Sequence, residues 1–315
     1  PGDSPYQSVS AFAGSPLMVA LEPLVAAGWL QAPQAPETGF DALRVNFSTV
    51  VPWRLSQLRA AFAGFGLKNA AQERAAFEYW QKREASWLDD YALFMALETE
   101  NGGKAWWHWP AEVREREAGA LGAARLRLAD EIGFWAFVQW CFDTQLAALK
   151  SYANSHGVAI MGDLPIFVAH DSADVWARRE LFRLEPDGRP TVVAGVPPDY
   201  FSATGQLWGN PHYRWDVLAR DGYAWWIARI RAVLSLVDRV RLDHFRGFEA
   251  AWEVPGDATT AMHGRWVKGP GGALFEAIQR ALGSLPFVAE NLGVITPEVE
   301  ALRERFHFPG MAILQ

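Results

Sequence analysis

Three times in its second half the chain repeats one passage: an amphipathic helix, a short apolar strand, then an acidic residue. A helix closing at His156-Gly157 leads into Val158-Ala159-Ile160-Met161 and Gly162-Asp163. A helix through Trp225, Trp226, Ile230, Val233 and Leu234 leads into Val240-Arg241-Leu242-Asp243-His244. A helix through Leu274, Ile278 and Leu282 leads into Phe287-Val288-Ala289-Glu290. Apolar strands alternating with helices build a parallel sheet. Thr296-Pro297-Glu298 then starts a further helix, which points to a last strand at 310–315. The pattern predicts an α/β fold of the (β/α)8 barrel type, which carries its chemistry at the carboxyl ends of its strands. The competing doubly wound sheet calls for a Gly-rich phosphate loop after a strand, and the sequence has none.

Ahead of this region the first seventy residues read as irregular, punctuated by Pro and Gly. From 71 to about 100 the aromatics Phe77, Trp80, Trp87, Tyr91 and Phe94 recur at helical spacing, and Asn101-Gly102-Gly103 ends the helix. A second helical stretch is expected over 111–155, with Phe134, Val138, Cys141, Gln145 and Leu149 on one face. The expected organisation is a barrel portion with a substrate-contacting insertion at 1–70, an inserted helical subdomain at 71–155, and the central barrel strands at 156–315. Both ends read as cut: position 1 is Pro, and 310–315 stops inside the expected strand. A partial barrel is therefore expected.

An acid at a strand end is costly to desolvate unless it is paired or used. Singly, each of the three could cap the next helix or pair with an arginine; three on successive strands point to function. Arg241 and Asp243 are two apart on a strand and share a face. The guanidinium is expected to keep Asp243 ionised, as suits a nucleophile. Glu290 follows Phe287-Val288-Ala289, an apolar approach that favours a protonated general acid. Together they suggest retaining glycoside chemistry, with two carboxyl groups about 5–5.5 Å apart. The stretch 195–211, read as a long loop, carries Tyr200, Phe201 and Trp208 as an aromatic substrate wall.

Composition narrows the classes. Net charge is −7, with 29 Lys and Arg against 36 Asp and Glu, which disfavours a nucleic-acid partner. No run of eighteen apolar residues suggests a membrane span. The single cysteine, Cys141, rules out an internal disulfide framework and suits a reducing, cytoplasmic setting. The His residues show no metal-site spacing, so no metal or cofactor is expected. Trp106-Trp107-His108-Trp109 reads as packing between subdomains, and Gly209-Asn210-Pro211 as a turn. His244 is either a packed core histidine or, beside Asp243, a donor to a sugar hydroxyl.

Several strings resemble the 4-alpha-glucanotransferases of glycoside hydrolase family 77, the amylomaltases or disproportionating enzymes. They are Asp3-Ser4-Pro5-Tyr6-Gln7-Ser8, Gly162-Asp163-Leu164-Pro165-Ile166-Phe167-Val168, the 195–211 stretch, Val240 to Glu249, Gly264-Arg265-Trp266-Val267-Lys268 and Ala289-Glu290-Asn291-Leu292-Gly293. The resemblance implies transfer of α-1,4-glucan segments between maltooligosaccharides on a (β/α)8 barrel with helical insertions. It puts Asp243 at the family's nucleophile and Glu290 at its acid/base. Asp163, Arg241 and His244 fall on subsite positions, Ser4, Tyr6 and Trp208 on sugar contacts, and the loop around 200–210 borders the acceptor groove. Asn291 stands where many relatives carry Asp, which alters a sugar hydrogen bond. The family's third carboxylate, in a His-Asp-Asn segment, has no counterpart in the chain, so weak or absent activity is expected. The rival readings are an α-amylase-type hydrolase and an inactive glucan-binding fragment.

Overall fold

The computed structural model describes residues 4–36, 39–68, 71–200 and 202–313. Asp3, Phe201 and the Leu314-Gln315 end of the expected last strand lie outside them. Two compact units are present. One comprises Ala13–Lys104 and Trp109–Leu149, and the other the residues up to Phe12, Ala105–His108, and those from Lys150 onward. Relative to the expected boundaries, 13–68 join the helical unit and 105–108 join the strand-bearing one.

The helical unit contains α1 (Glu22–Ala26), α2 (Phe47–Leu67), α3 (Ala71–Glu100), α4 (Ala111–Arg114), α5 (Ala118–Arg127) and α6 (Ala129–Ser155) up to Leu149. Helix α3 has the expected span. Helix α2 falls in sequence that read as irregular. Its amino end is capped by the Asn46 side chain, which accepts from the Ser48 N–H at 3.1 Å. Gly64 lowers its intrinsic helix propensity, yet a Cβ there would lie 2.0 Å from the Trp29 carbonyl oxygen. That close approach seats the Trp29 ring against Phe65, Phe137 and Trp140, at centroid distances of 5.0, 5.9 and 5.7 Å. Packing outweighs propensity. The single stretch expected over 111–155 breaks into three helices, with Arg116 left-handed (φ 59°) between α4 and α5. On α6 the buried face runs through Phe134, Val138 and Cys141, whereas Leu149 is exposed. Gln145 on the same face binds the Ala20 backbone N–H and C=O at 2.7 and 3.0 Å.

The second unit holds β1 (Met161–Pro165), β2 (Val192–Val196), β3 (Gln206–Pro211), β4 (Arg239–Asp243), β5 (Ala250–Pro255), β6 (Arg265–Lys268) and β7 (Phe287–Ala289). Its helices are α7 (Ala173–Ala177), α8 (Trp215–Arg220), α9 (Ala224–Leu236), α10 (Gly272–Leu282) and α11 (Pro297–Arg305). Strands β1, β4 and β7 form a parallel sheet in chain order. Helices lie between them in sequence, which makes this a sector of a (β/α) barrel. A four-stranded antiparallel sheet, β3-β2-β5-β6, is inserted into it.

Along β4, Val240 and Leu242 are buried, while Arg241 and Asp243 alternate onto the opposite face. Strand β1 begins three residues later than expected. Residues 158–160 instead finish α6 and bind the Asp238 side chain, which accepts the Ile160 N–H at 2.7 Å. Asp163 is therefore central in its strand, and only Asp243 ends one. The 195–211 stretch is mostly hairpin: β2 pairs with β3, leaving 197–205 as the loop, and Gly209-Asn210-Pro211 is strand where a turn was expected. Residues 310–313 form no strand. Pro309 accepts the Ala289 N–H at 2.8 Å, and Asn291 holds the Met311 N–H at 2.9 Å.

Candidate active site

Strand register assembles the acids. Asp163 on β1 pairs with Arg241 on β4, and Pro165 with Asp243. Leu242 pairs with Ala289 on β7, so the next step along both strands sets Asp243 beside Glu290. Adjacent strands lie about 4.8 Å apart, a spacing that suits the about 5–5.5 Å carboxyl separation of a retaining pair.

Arg241 ties the group together. Its Nη1 donates to both oxygens of Asp163 at 2.6 and 2.7 Å, and its Nη2 donates to Asp243 Oδ1 at 2.8 Å. Its Nε faces the Met311 sulfur at 3.3 Å. Burial works against the guanidinium's charge, but the Asp163 and Asp243 carboxylates more than offset it and raise its pKa. The Tyr6 hydroxyl donates to Asp163 Oδ2 at 3.1 Å, and the Asp163 charge pushes the phenol up. At Asp243 the influences oppose one another. Burial pushes its carboxyl above the usual aspartate range, Arg241 pulls it back only partly, and the negative charges of Asp163 and Glu290 add to the rise.

Glu290 follows β7 directly, and each of its oxygens meets a backbone amide: His244 N–H to Oε2 and Leu292 N–H to Oε1, both at 2.9 Å. The first contact depends on His244 being left-handed (φ 53°), a strained conformation for a non-glycine residue. There the chain leaves β4 and turns its amide toward the glutamate. The His244 imidazole is pushed down to about 4, chiefly by burial and then by the Arg246 charge, so it is neutral near pH 7. Its Nε2 makes no hydrogen bond among the described residues, and its ring stands edge-on to Trp208 at 4.8 Å.

Asp243 and His244 open onto a cleft of about 560 Å³ lined also by Ser4, Tyr6, Pro165, Phe167 and Trp208, whereas Asp163, Arg241 and Glu290 are not among its lining residues. Ser4, Tyr6 and Trp208 thus join the cleft as the sequence suggested. Tyr200 is 97% exposed and is not among the lining residues. Asn291 turns its amide to Glu300 Oε1 (2.9 Å) and the Met311 backbone. Sequence reasoning missed two polar lining residues, Gln7 and Asn210. Gln7 Nε2 reaches the Trp208 carbonyl and Asn210 Oδ1, each at 3.4 Å, while Asn210 donates to the Val168 carbonyl at 2.8 Å. Gln7 sat unremarked inside a quoted motif, and Asn210 carried no signal beyond its turn-like neighbours. Of the tryptophan string, Trp106 is buried with its Nε1 on the His170 carbonyl, and Trp109 is buried with its Nε1 on the Lys104 carbonyl. Among the described residues no cluster of three His, Cys, Asp or Glu side chains could hold a metal, and no helix is long and apolar enough to cross a membrane.

A barrel sector with acids gathered by an arginine beside an aromatic cleft defines a (β/α)-barrel protein. Residues 1–315 match the family model described as 4-alpha-glucanotransferase, glycoside hydrolase family 77. The chain is 55% identical over 314 residues to a 4-alpha-glucanotransferase of Thermus thermophilus, covering 100% of this chain and 62% of that one. It is 46% identical over 318 residues to the 4-alpha-glucanotransferase of a Synechocystis species, covering 99% and 63%. Amylomaltase from Streptococcus agalactiae, solved in complex with acarbose, superposes with a TM-score of 0.94 at 39% identity, covering 99% of this chain and 63% of that one. The amylomaltase of Corynebacterium glutamicum, at 21% identity and a TM-score of 0.74, shares the fold. The chain belongs to the 4-alpha-glucanotransferase family, and spans less than two thirds of the length of these relatives.

Proposed function

We propose that this protein transfers α-1,4-glucan segments between maltooligosaccharides by a retaining double displacement. The observation that carries the reading is the register that sets Asp243 beside Glu290 with Arg241 bridging Asp163 and Asp243. Asp243 attacks the anomeric carbon as Glu290 gives its proton to the departing glycosidic oxygen, leaving a glucosyl ester on Asp243. Glu290, now a carboxylate, takes the proton from the 4-hydroxyl of an acceptor glucan. That oxygen attacks the anomeric carbon, forms the new bond and frees Asp243. The neutral His244 Nε2 and the Tyr6 hydroxyl supply hydrogen bonds to sugar hydroxyls, and the Trp208 indole offers an apolar face to a sugar ring. Ser4 completes that wall, Tyr200 is assigned to the loop bordering the acceptor groove, and Asn291, next to Glu290, to a sugar hydrogen bond. No cofactor enters the scheme, and the lone buried Cys141 supports a reducing, cytoplasmic setting.

Maltotriose incubated with the protein, with products read by mass, tests this reading. Glucose plus a ladder of longer maltooligosaccharides is the expected result. Glucose and maltose without longer products would make it an α-amylase-type hydrolase. Acarbose binding without any turnover would leave a glucan-binding protein.

A further inference from the structure

Behind the cleft lie two buried ionisable side chains that the proposed chemistry does not use: Asp174 at the start of α7 and Arg229 in α9, 7% and 4% exposed. Ions so buried are held only where something compensates them. Asp174 Oδ2 accepts the Ala11 N–H at 2.7 Å, and next to it Ala173 N–H donates to the Val9 carbonyl at 2.9 Å. These bonds sew residues 9–11 onto α7, and the segment just before them brings Ser4, Tyr6 and Gln7 to the cleft. Arg229 grips the opposite wall, donating to the Pro165 carbonyl at 2.7 Å and the Ile166 carbonyl at 3.3 Å. The Tyr213 hydroxyl adds a second donor to the Ile166 carbonyl at 2.9 Å. Pro165 and Ile166 line the cleft, and Pro165 is the register partner of Asp243. Arg229 also lies over the Trp226 and Trp225 rings, at 5.0 and 5.5 Å.

We propose that Asp174 and Arg229 are positioning residues. Asp174 holds the amino-terminal wall of the cleft, Arg229 holds the β1 wall, and between them the two holds set the spacing at which Tyr6 reaches Asp163. The proposal rests on the glucan reading of this cleft. It is tested by a double-mutant cycle with acarbose as the probe, in calorimetric titrations of the wild-type chain, Tyr6→Phe, Asp174→Asn and the double variant. Asparagine keeps an acceptor for the Ala11 amide and removes the charge.

The expected result is that Asp174→Asn weakens binding about tenfold, because an amide oxygen holds the Ala11 N–H less firmly than a carboxylate and loosens the segment that carries Tyr6. Tyr6→Phe weakens it about three- to tenfold in the wild-type background, and less than about twofold once Asp174 is neutral. Equal losses from Tyr6→Phe in both backgrounds, or none in the wild type, would overturn the proposal and leave the two residues as stabilising elements alone. Absence of acarbose binding by the wild-type chain would overturn the glucan reading as well, and is told apart because no cycle can then be built. Should Asp174→Asn not fold, Tyr213→Phe, which removes only the hydroxyl on the Ile166 carbonyl, goes through the same cycle under the same criteria.

Discussion

Replacing Arg241 by methionine, which keeps the stem and deletes the charge, should move the acid side of the activity profile to higher pH. As the proposed nucleophile, Asp243 must be ionised to attack, so activity is expected to fall as pH drops through its pKa. Burial already pushes that carboxyl up, and Arg241 is the main group holding it down. A hydrogen bond between ionised partners stabilises the charged form by about 1.5–3 kcal/mol. The Arg241 and Asp243 side chains are 23% and 25% exposed, so water competes and the lower part of that range, about 1.5–2 kcal/mol, applies. At about 1.36 kcal/mol per pH unit, the acid limb should rise by about 1.1–1.5 pH units. The profile of kcat/KM for maltotriose disproportionation reads the limb, and carbon-13 NMR of the labelled Asp243 carboxyl reads the same ionisation without turnover. A limb that moves by less than about 0.3 of a pH unit, or moves down, would refute the reasoning.

The opposite sign follows for Asp163→Asn. It removes a negative charge that raises Asp243, so the acid limb should shift to lower pH in the same assay. Glu290→Gln should abolish transfer from maltotriose while leaving glucosylation by α-maltosyl fluoride largely intact, since fluoride departs without protonation; equal losses on both donors would unseat Glu290 as the acid. In the helical unit, Phe137 is fully buried against Trp29, Phe62 and Phe65. Phe137→Ala should cost about 3–5 kcal/mol of stability in urea unfolding, and a loss below about 1 kcal/mol would mean that the cluster repacks.

The sequence by itself determined the alternation of helices with apolar strands and the extent of helix α3, and it singled out Asp243 and Glu290 as the acids proposed to react. Each of these rests on periodicity or on neighbours within a few residues, which a linear reading can see. Tertiary structure alone decided the rest. Helix α2 exists because the glycine that weakens it lets Trp29 approach. Strand β1 starts late because Asp238, 78 residues from Ile160, binds the Ile160 amide. Gln7 and Asn210 meet in the cleft across 203 residues of sequence. The ionisation of Asp243 followed the same rule. Arg241, two residues away, was legible as the group that favours the carboxylate, but burial, a property of the whole packed unit, was not, and it raises the pKa by more than Arg241 lowers it.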